Sequence, residues 1–71
     1  MTKYNVWFKH SDDKAPVILA TADNKKDARA FLKTQTEGKK ADRVVKTADN
    51  VRLFHNAHNV IWDVAYWVEK E

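Results

Sequence analysis

The segment 60–68 constrains the fold more than any other, because its apolar residues alternate strictly along the chain. They occupy every second position, at Val60, Trp62, Val64, Tyr66 and Val68. The spacing of Val60, Val64 and Trp67 also fits one face of a helix, but β-branched and aromatic residues dominate the segment and favour a strand. A strand that is apolar on one side needs a second layer to cover that side. The segment therefore predicts a sheet with something packed on it.

One helix is predicted to supply that layer. Apolar residues recur at the spacing of a helical face, at Ala28, Phe31 and Leu32. Asp23 or Asn24 can cap the start by accepting a hydrogen bond from a free backbone N–H of the first turn. Gly38, the only glycine, stands where a left-handed residue ends helices. These signals predict a helix over about 24–36.

Four further runs are predicted to be strands because they are rich in β-branched and aromatic residues and are bounded by turn residues. They cover 4–9, 17–21, 43–47 and 51–55. The run 51–55 also fits helical spacing, although valine, asparagine and histidine are poor helix formers. The predicted fold is α+β, with element order β-β-α-β-β-β. One antiparallel sheet of four to five strands carries one helix on one face, in a single domain over 1–71.

Composition excludes several classes of protein. The chain has no cysteine and one glycine, which excludes a disulfide scaffold, a thiolate zinc site and a Gly-rich phosphate loop. The longest apolar run, 15–20, is far shorter than the roughly 20 residues that a membrane-spanning helix needs. No apolar signal-peptide core follows the N-terminus. We expect a cytoplasmic protein without a membrane segment.

The alternation of strand residues divides the sheet into two faces. Tyr4, Val6 and Phe8, with the alternating apolar set of 60–68, are expected under the helix. The opposite face is expected to contain Asn5, Trp7, Lys9, Arg52, Phe54, Ile61, Asp63, Ala65 and Trp67. A helix of about 13 residues is roughly 20 Å long and covers one face only. The aromatic residues of the other face are then partly exposed in a monomer.

Exposed aromatic clusters on small domains mark interaction surfaces. Trp7, Phe54, Trp67 and Arg52 are the candidate contact residues of this aromatic sheet face. Three alternatives stay open. The sheet coils and the tryptophans close a single core, the face binds a second copy, or it binds a different protein. An edge strand that adds to another sheet is a further route to the same kind of partner.

A basic stripe supports the alternative function of nucleic-acid binding. The helix and the loop after it contain Lys25, Arg29, Lys33, Lys39 and Lys40, and the net charge is +3. Phosphate groups bind such stripes through counterion release. Lysine is also common on solvated helix faces, and this stripe lies across the sheet from the aromatic residues. Lys9 and Arg52 are the only cations expected beside the tryptophans.

No constellation indicates catalysis or a cofactor. His55, His58 and His10 are too few and too poorly spaced to predict a metal site. Ser11 between His10 and Asp12 is not a triad, because a triad needs a base held across space and an oxyanion hole. Asp63 is expected to pair with Lys9 or Arg52 rather than to act as an acid. We therefore expect a non-enzymatic interaction module, a regulatory or accessory protein that binds a protein partner or itself and uses neither a metal nor a cofactor.

Overall fold

The computed structural model describes residues 2–71 and contains one helix and five strands. The strands are β1 (Tyr4–His10), β2 (Val17–Ala22), β3 (Arg43–Lys46), β4 (Asn50–Ala57) and β5 (Val60–Lys70), and the helix α1 spans Lys25–Thr36. The element order and the α+β class match the prediction, and each segment with a strand or helix alternative resolves as predicted. The last two strands end two residues later than expected, the first two strands end one residue later, and β3 ends one residue earlier.

The five strands form one antiparallel sheet in the order β2-β1-β5-β4-β3. The last strand, β5, lies at the centre and pairs with β1 on one side and β4 on the other. The strands β2 and β3 are the two edges. The first and last strands are therefore neighbours, and the centre of the sheet forms when these two ends of the described chain pair.

The hairpin between β4 and β5 projects beyond the rest of the sheet. The predicted strands leave four residues, 56–59, between them, but His58 and Asn59 alone make the turn, with φ of 52° and 65°. Both values lie in the left-handed region that two-residue hairpin turns require. β1 pairs with β5 only as far as Val64, and β3 pairs with β4 only as far as Phe54. The outer part of this hairpin is thus a two-stranded arm.

The helix is fixed at both ends by the predicted residues. The Asn24 side chain accepts a hydrogen bond from the backbone N–H of Asp27 at 2.8 Å, which identifies Asn24 as the N-cap. Gly38 follows the last turn with φ of 77°. A non-glycine residue is strained at this φ, so the only glycine stands where the chain leaves the helix.

The core lies between the helix and one face of the sheet. Its buried apolar residues are Val6, Ala28, Leu32, Val51, Leu53 and Tyr66, and Tyr4, Phe8, Phe31, Val64 and Val68 pack around them. The predicted helix-side set is correct along β1 and along β5 from Val64 onward. It is wrong at Val60, which is exposed, and at Trp62, which stacks on His55 at 5.2 Å between ring centroids. Both residues lie on the projecting hairpin, beyond the reach of the helix.

An ion pair joins the helix to the β3–β4 turn. Arg29 donates through Nε and Nη2 to the two carboxylate oxygens of Asp49, and the ammonium of Lys25 lies 3.8 Å from the same carboxylate. The hydrogen bond from Arg29 lowers the pKa of Asp49, partial burial opposes this, and the charges of Arg29 and Lys25 add to it. The same bond raises the pKa of Arg29.

This ion pair predicts a pH-dependent contribution to stability. Because the pKa of Asp49 is depressed in the folded chain, the contribution is complete above the ordinary value of 3.8 and is lost as the pH falls through the folded value. We expect Asp49→Asn to destabilise the chain at neutral pH, and the difference from the wild type to shrink as the pH falls below 3.8. Urea unfolding across this pH range measures the difference. An equal effect of Asp12→Asn, which alters an exposed carboxylate without an arginine partner, would contradict this assignment.

Candidate interaction surface

The sheet face opposite the helix is built from the alternate residues of all five strands. The pairing register arranges them in rows across the sheet, which are Thr21-Asn5-Glu69, Ile18-Trp7-Trp67-Asn50, Lys9-Ala65-Arg52-Val45 and Asp63-Phe54-Arg43. We call this surface the open face. No helix of residues 2–71 covers it, because α1 packs on the other side. The four residues predicted for the aromatic sheet face, Trp7, Phe54, Trp67 and Arg52, all lie on it.

Trp7 and Trp67 form a stacked pair near the middle of the open face. They are register partners on β1 and β5, with ring centroids 6.3 Å apart and planes 10° from parallel. The indole N–H of Trp67 donates to the Glu69 carboxylate at 3.3 Å. Both rings are half-buried, although they lie across the sheet from the core. The two near-parallel rings thus form an apolar ridge on this face.

Phe54 forms a second aromatic centre with two arginines. The guanidinium groups of Arg43 and Arg52 lie over its ring, 5.7 Å and 5.6 Å from the centroid. Arg52 also donates through Nε to the Asp63 carboxylate at 3.2 Å, as the sequence predicted. Lys9 and Arg52, the cations expected beside the tryptophans, both lie on the open face. Arg43 joins them because the β3–β4 register places it opposite Phe54.

An open groove separates these two aromatic centres. Its volume is about 620 Å³, and it is lined by Lys9, Asn50, Arg52, Asp63, Ala65 and Trp67 among others. Ala65 stands between Lys9 and Arg52 in its row, and its small side chain leaves the hollow between the larger neighbours. Alternation along the strand predicts that Ala65 lies on this face but does not predict the groove, because the groove arises where side-chain volume is missing between large neighbours.

The charges of the open face do not balance. Its strand residues include the cations Lys9, Arg43 and Arg52 and the carboxylates of Asp63 and Glu69. Asp63 is paired with Arg52 and Glu69 accepts from Trp67. Among the described residues no carboxylate lies within ion-pair distance of Lys9 or Arg43. The groove is lined by both apolar and polar residues, with Lys9 at its margin and Arg43 beyond it on the same face.

The five cations of the basic stripe, on which the nucleic-acid hypothesis depends, divide within the described residues into a paired group and an unpaired group. Lys25 and Arg29 converge on Asp49, so that part of their charge is neutralised within the chain. Lys33 lies on the helix, and Lys39 and Lys40 are exposed in the loop that follows it. The structure therefore leaves Lys33, Lys39 and Lys40 as the cations of this stripe without a carboxylate partner among residues 2–71.

The residues that were candidates for a catalytic or metal site make local structural contacts instead. His10 Nδ1 accepts from the backbone N–H of Asp12, and the Ser11 hydroxyl accepts from the backbone N–H of Asp63 at 3.3 Å. His55 stacks on Trp62 in the projecting hairpin, and His58 belongs to its turn. Within residues 2–71 no three side chains of histidine, aspartate or glutamate gather as a metal site would require.

Neither a membrane-spanning helix within residues 2–71 nor a related protein is found. Over the described residues, none of the helical structure is both long and apolar enough to cross a membrane. Comparison with protein families, with curated proteins and with solved structures finds no match to this chain.

Proposed function

We propose that this chain is a non-enzymatic interaction module whose open face binds a segment of another protein. The segment that fits has a large apolar side chain next to acidic residues. The observation that carries the proposal is the groove over Ala65, which lies between the Trp7–Trp67 pair and the Arg52–Asp63 ion pair. The apolar side chain enters the groove, and the acidic residues contact the cations at its margins.

The apolar half of the proposal rests on the aromatic residues. Interface centres are enriched in tryptophan and arginine, and an anchor side chain that fills a pocket beside them supplies much of the binding energy. Trp67 forms one wall of the groove and Arg52 another. Because the two tryptophan rings support each other, the wall is ordered before a partner binds. Such pre-organisation lowers the entropic cost of association.

The acidic residues of the proposed partner segment are inferred from two cations of the open face, Lys9 and Arg43. Complementary charge across an interface sets specificity and the association rate more than affinity. An acidic segment supplies the counter-charges that the chain does not supply itself. A second copy of the same face brings the same small excess of cations and not an acidic segment, so the charge favours a different protein over self-association through this face.

The alternative of nucleic-acid binding finds less support on the open face. Single-stranded nucleic acid stacks its bases on free aromatic surfaces beside a strongly positive groove. Here Trp7 and Trp67 cover each other, the Phe54 ring is covered by guanidinium groups, and carboxylates interrupt the cations. Nucleic-acid binding would instead use Lys33, Lys39 and Lys40, and the test below includes it as one outcome.

The test is a selection of displayed random peptides on the immobilised chain, followed by titration of the selected peptides. We expect the selected peptides to combine an aromatic or large aliphatic residue with neighbouring Asp or Glu. Ala65→Leu fills the groove and is expected to weaken their binding about tenfold, which corresponds to about 1.4 kcal/mol. Ala30→Leu makes the same change on the exposed surface of the helix and is expected to have no effect.

Two results would overturn the proposal. One is equal binding of the selected peptides to the wild type and the Ala65→Leu variant, with circular dichroism showing both folded. The other is tight, salt-sensitive binding of a poly-dT oligonucleotide that is lost when Lys33, Lys39 and Lys40 are changed to Gln. The second result would establish the nucleic-acid alternative.

A further inference from the structure

The edge strand β2 is apolar and uncharged along its whole length. Val17, Ile18 and Leu19 are 51%, 48% and 39% exposed, and no charged residue occurs between Lys14 and Asp23. Proteins ordinarily protect edge strands with lysine, proline, bulges or a covering segment, because an open edge pairs with other strands. On β2 the protection is limited to Pro16 before the strand and to a bulge opposite Val6 and Trp7.

The outer side of β2 has no partner among residues 2–71. β2 pairs with β1 alone, so the backbone groups that point away from β1 face solvent. Val17 lies on the helix side of the sheet, opposite Phe8, and is still half exposed. The helix therefore leaves this margin of the sheet uncovered, and a strand placed beside β2 covers both backbone and apolar side chains.

We propose that β2 pairs antiparallel with β2 of a second copy of this chain. The two edges differ in charge, and this difference selects β2. The other edge, β3, has Arg43 at one end and Lys46 at the other, so an antiparallel pair of β3 strands places like charges opposite each other, which is destabilising. A pair of β2 strands has no such repulsion.

The residues that flank β2 favour the same orientation. Lys14 precedes the strand and Asp23 follows it. In an antiparallel pair the Lys14 end of one copy lies beside the Asp23 end of the other, at both margins of the contact. Asp23 is exposed and its only cationic neighbour among the described residues is Lys3, at 3.9 Å, so its carboxylate can accept a further cation.

The pairing has a consequence for the open face. Side chains that lie opposite each other in antiparallel strands point to the same side of the sheet, so the two copies form one ten-stranded sheet with both open faces on the same side. Ile18, which pairs with Trp7 on the open face, lies at the junction. If the proposed function holds, the dimer presents two grooves side by side to one partner, which raises the effective affinity for a partner with two segments.

The test is sedimentation of the full chain over concentrations from about 10 µM to about 1 mM, because an interface limited to one strand edge is small and weak. We expect the wild type to move from a mass near 8.3 kDa toward twice that value. Leu19→Lys places a charge at the middle of β2, where the antiparallel pair brings the two copies of the residue close together, and is expected to remain monomeric. Val44→Lys is the matched control, since Val44 is 50% exposed on the other edge strand, and it is expected to dimerise like the wild type.

A second measurement locates the contact. Amide hydrogen exchange of β2 is expected to slow as the concentration rises, while exchange of β3 stays unchanged. A wild type that remains monomeric throughout, or a dimer that survives Leu19→Lys, overturns the β2 pairing. Neither result affects peptide binding in the groove, and loss of peptide binding does not affect the dimer, so the two proposals fail separately.

Discussion

Leu32→Ala is expected to lower the free energy of unfolding by about 2–5 kcal/mol. Leu32 is 2% exposed and lies in the buried cluster between the helix and the sheet. The loss combines the transfer energy of the removed carbon atoms with the cost of the cavity. A core of this size supplies about 3–5 kcal/mol in total, so the variant is expected to be largely unfolded at room temperature. Urea unfolding followed by circular dichroism measures the change.

Leu19→Ala is the matched control because it removes the same atoms from the edge strand. Leu19 is 39% exposed, and we expect a loss under about 1 kcal/mol, typical of surface positions. Comparable losses in the two variants would show that the helix does not pack on the sheet through Leu32. The measurement is made at low protein concentration, so that pairing of β2 does not stabilise the wild type.

The elements of this fold are predictable because their signals are local. The helix is identified by its apolar spacing and by Asn24 and Gly38 at its ends, and the structure uses these residues there. The central strand β5 is identified by alternation, which persists because one side of it meets the core at Val64, Tyr66 and Val68. Local signals do not predict how far the β4–β5 hairpin projects. There β5 continues past the helix, so alternate apolar residues are no longer buried in the core.

The arrangement of the strands is not predictable from these signals. Nothing in the segments themselves indicates that β1 and β5, at the two ends of the chain, lie side by side. The register of β3 against β4 is equally non-local, and it decides that Arg43 joins the open face. For this reason the sequence alone does not assign Arg43 to the open face, whereas the structure places its guanidinium over Phe54.

The candidate site is predictable in its residue types and not in its shape. Alternation alone assigns Trp7, Phe54, Trp67 and Arg52 to one face, and the structure places all four there. Whether they bind a partner stays a prediction. The groove over Ala65 depends on which large residues flank a small one across three strands. That information becomes available only when the pairing register is known.

Tyr66→Ala is expected to have the other large effect, a loss of about 3–5 kcal/mol in the free energy of unfolding. Tyr66 is 7% exposed at the centre of the central strand, between Phe8 on β1 and Val51 on β4. Its ring lies 5.0 Å from that of Phe8 at an angle of 53°, a tilted geometry that aromatic pairs favour. The variant is expected to lose cooperative unfolding in urea, since the loss approaches the whole stability of the domain.

Tyr66→Phe separates the ring from its hydroxyl group. Within residues 2–71 no buried side-chain nitrogen or oxygen lacks a hydrogen-bond partner, so the hydroxyl of Tyr66 is not an unpaired buried group. We expect this variant to remain within about 1 kcal/mol of the wild type. A large loss in Tyr66→Phe would assign the stabilisation to the hydroxyl instead of to packing.

Because Trp67 follows Tyr66 on β5 and points to the opposite face, collapse of the core in Tyr66→Ala also removes the support of the Trp7–Trp67 pair. The near-ultraviolet circular dichroism of the tryptophans is therefore expected to disappear with the fold.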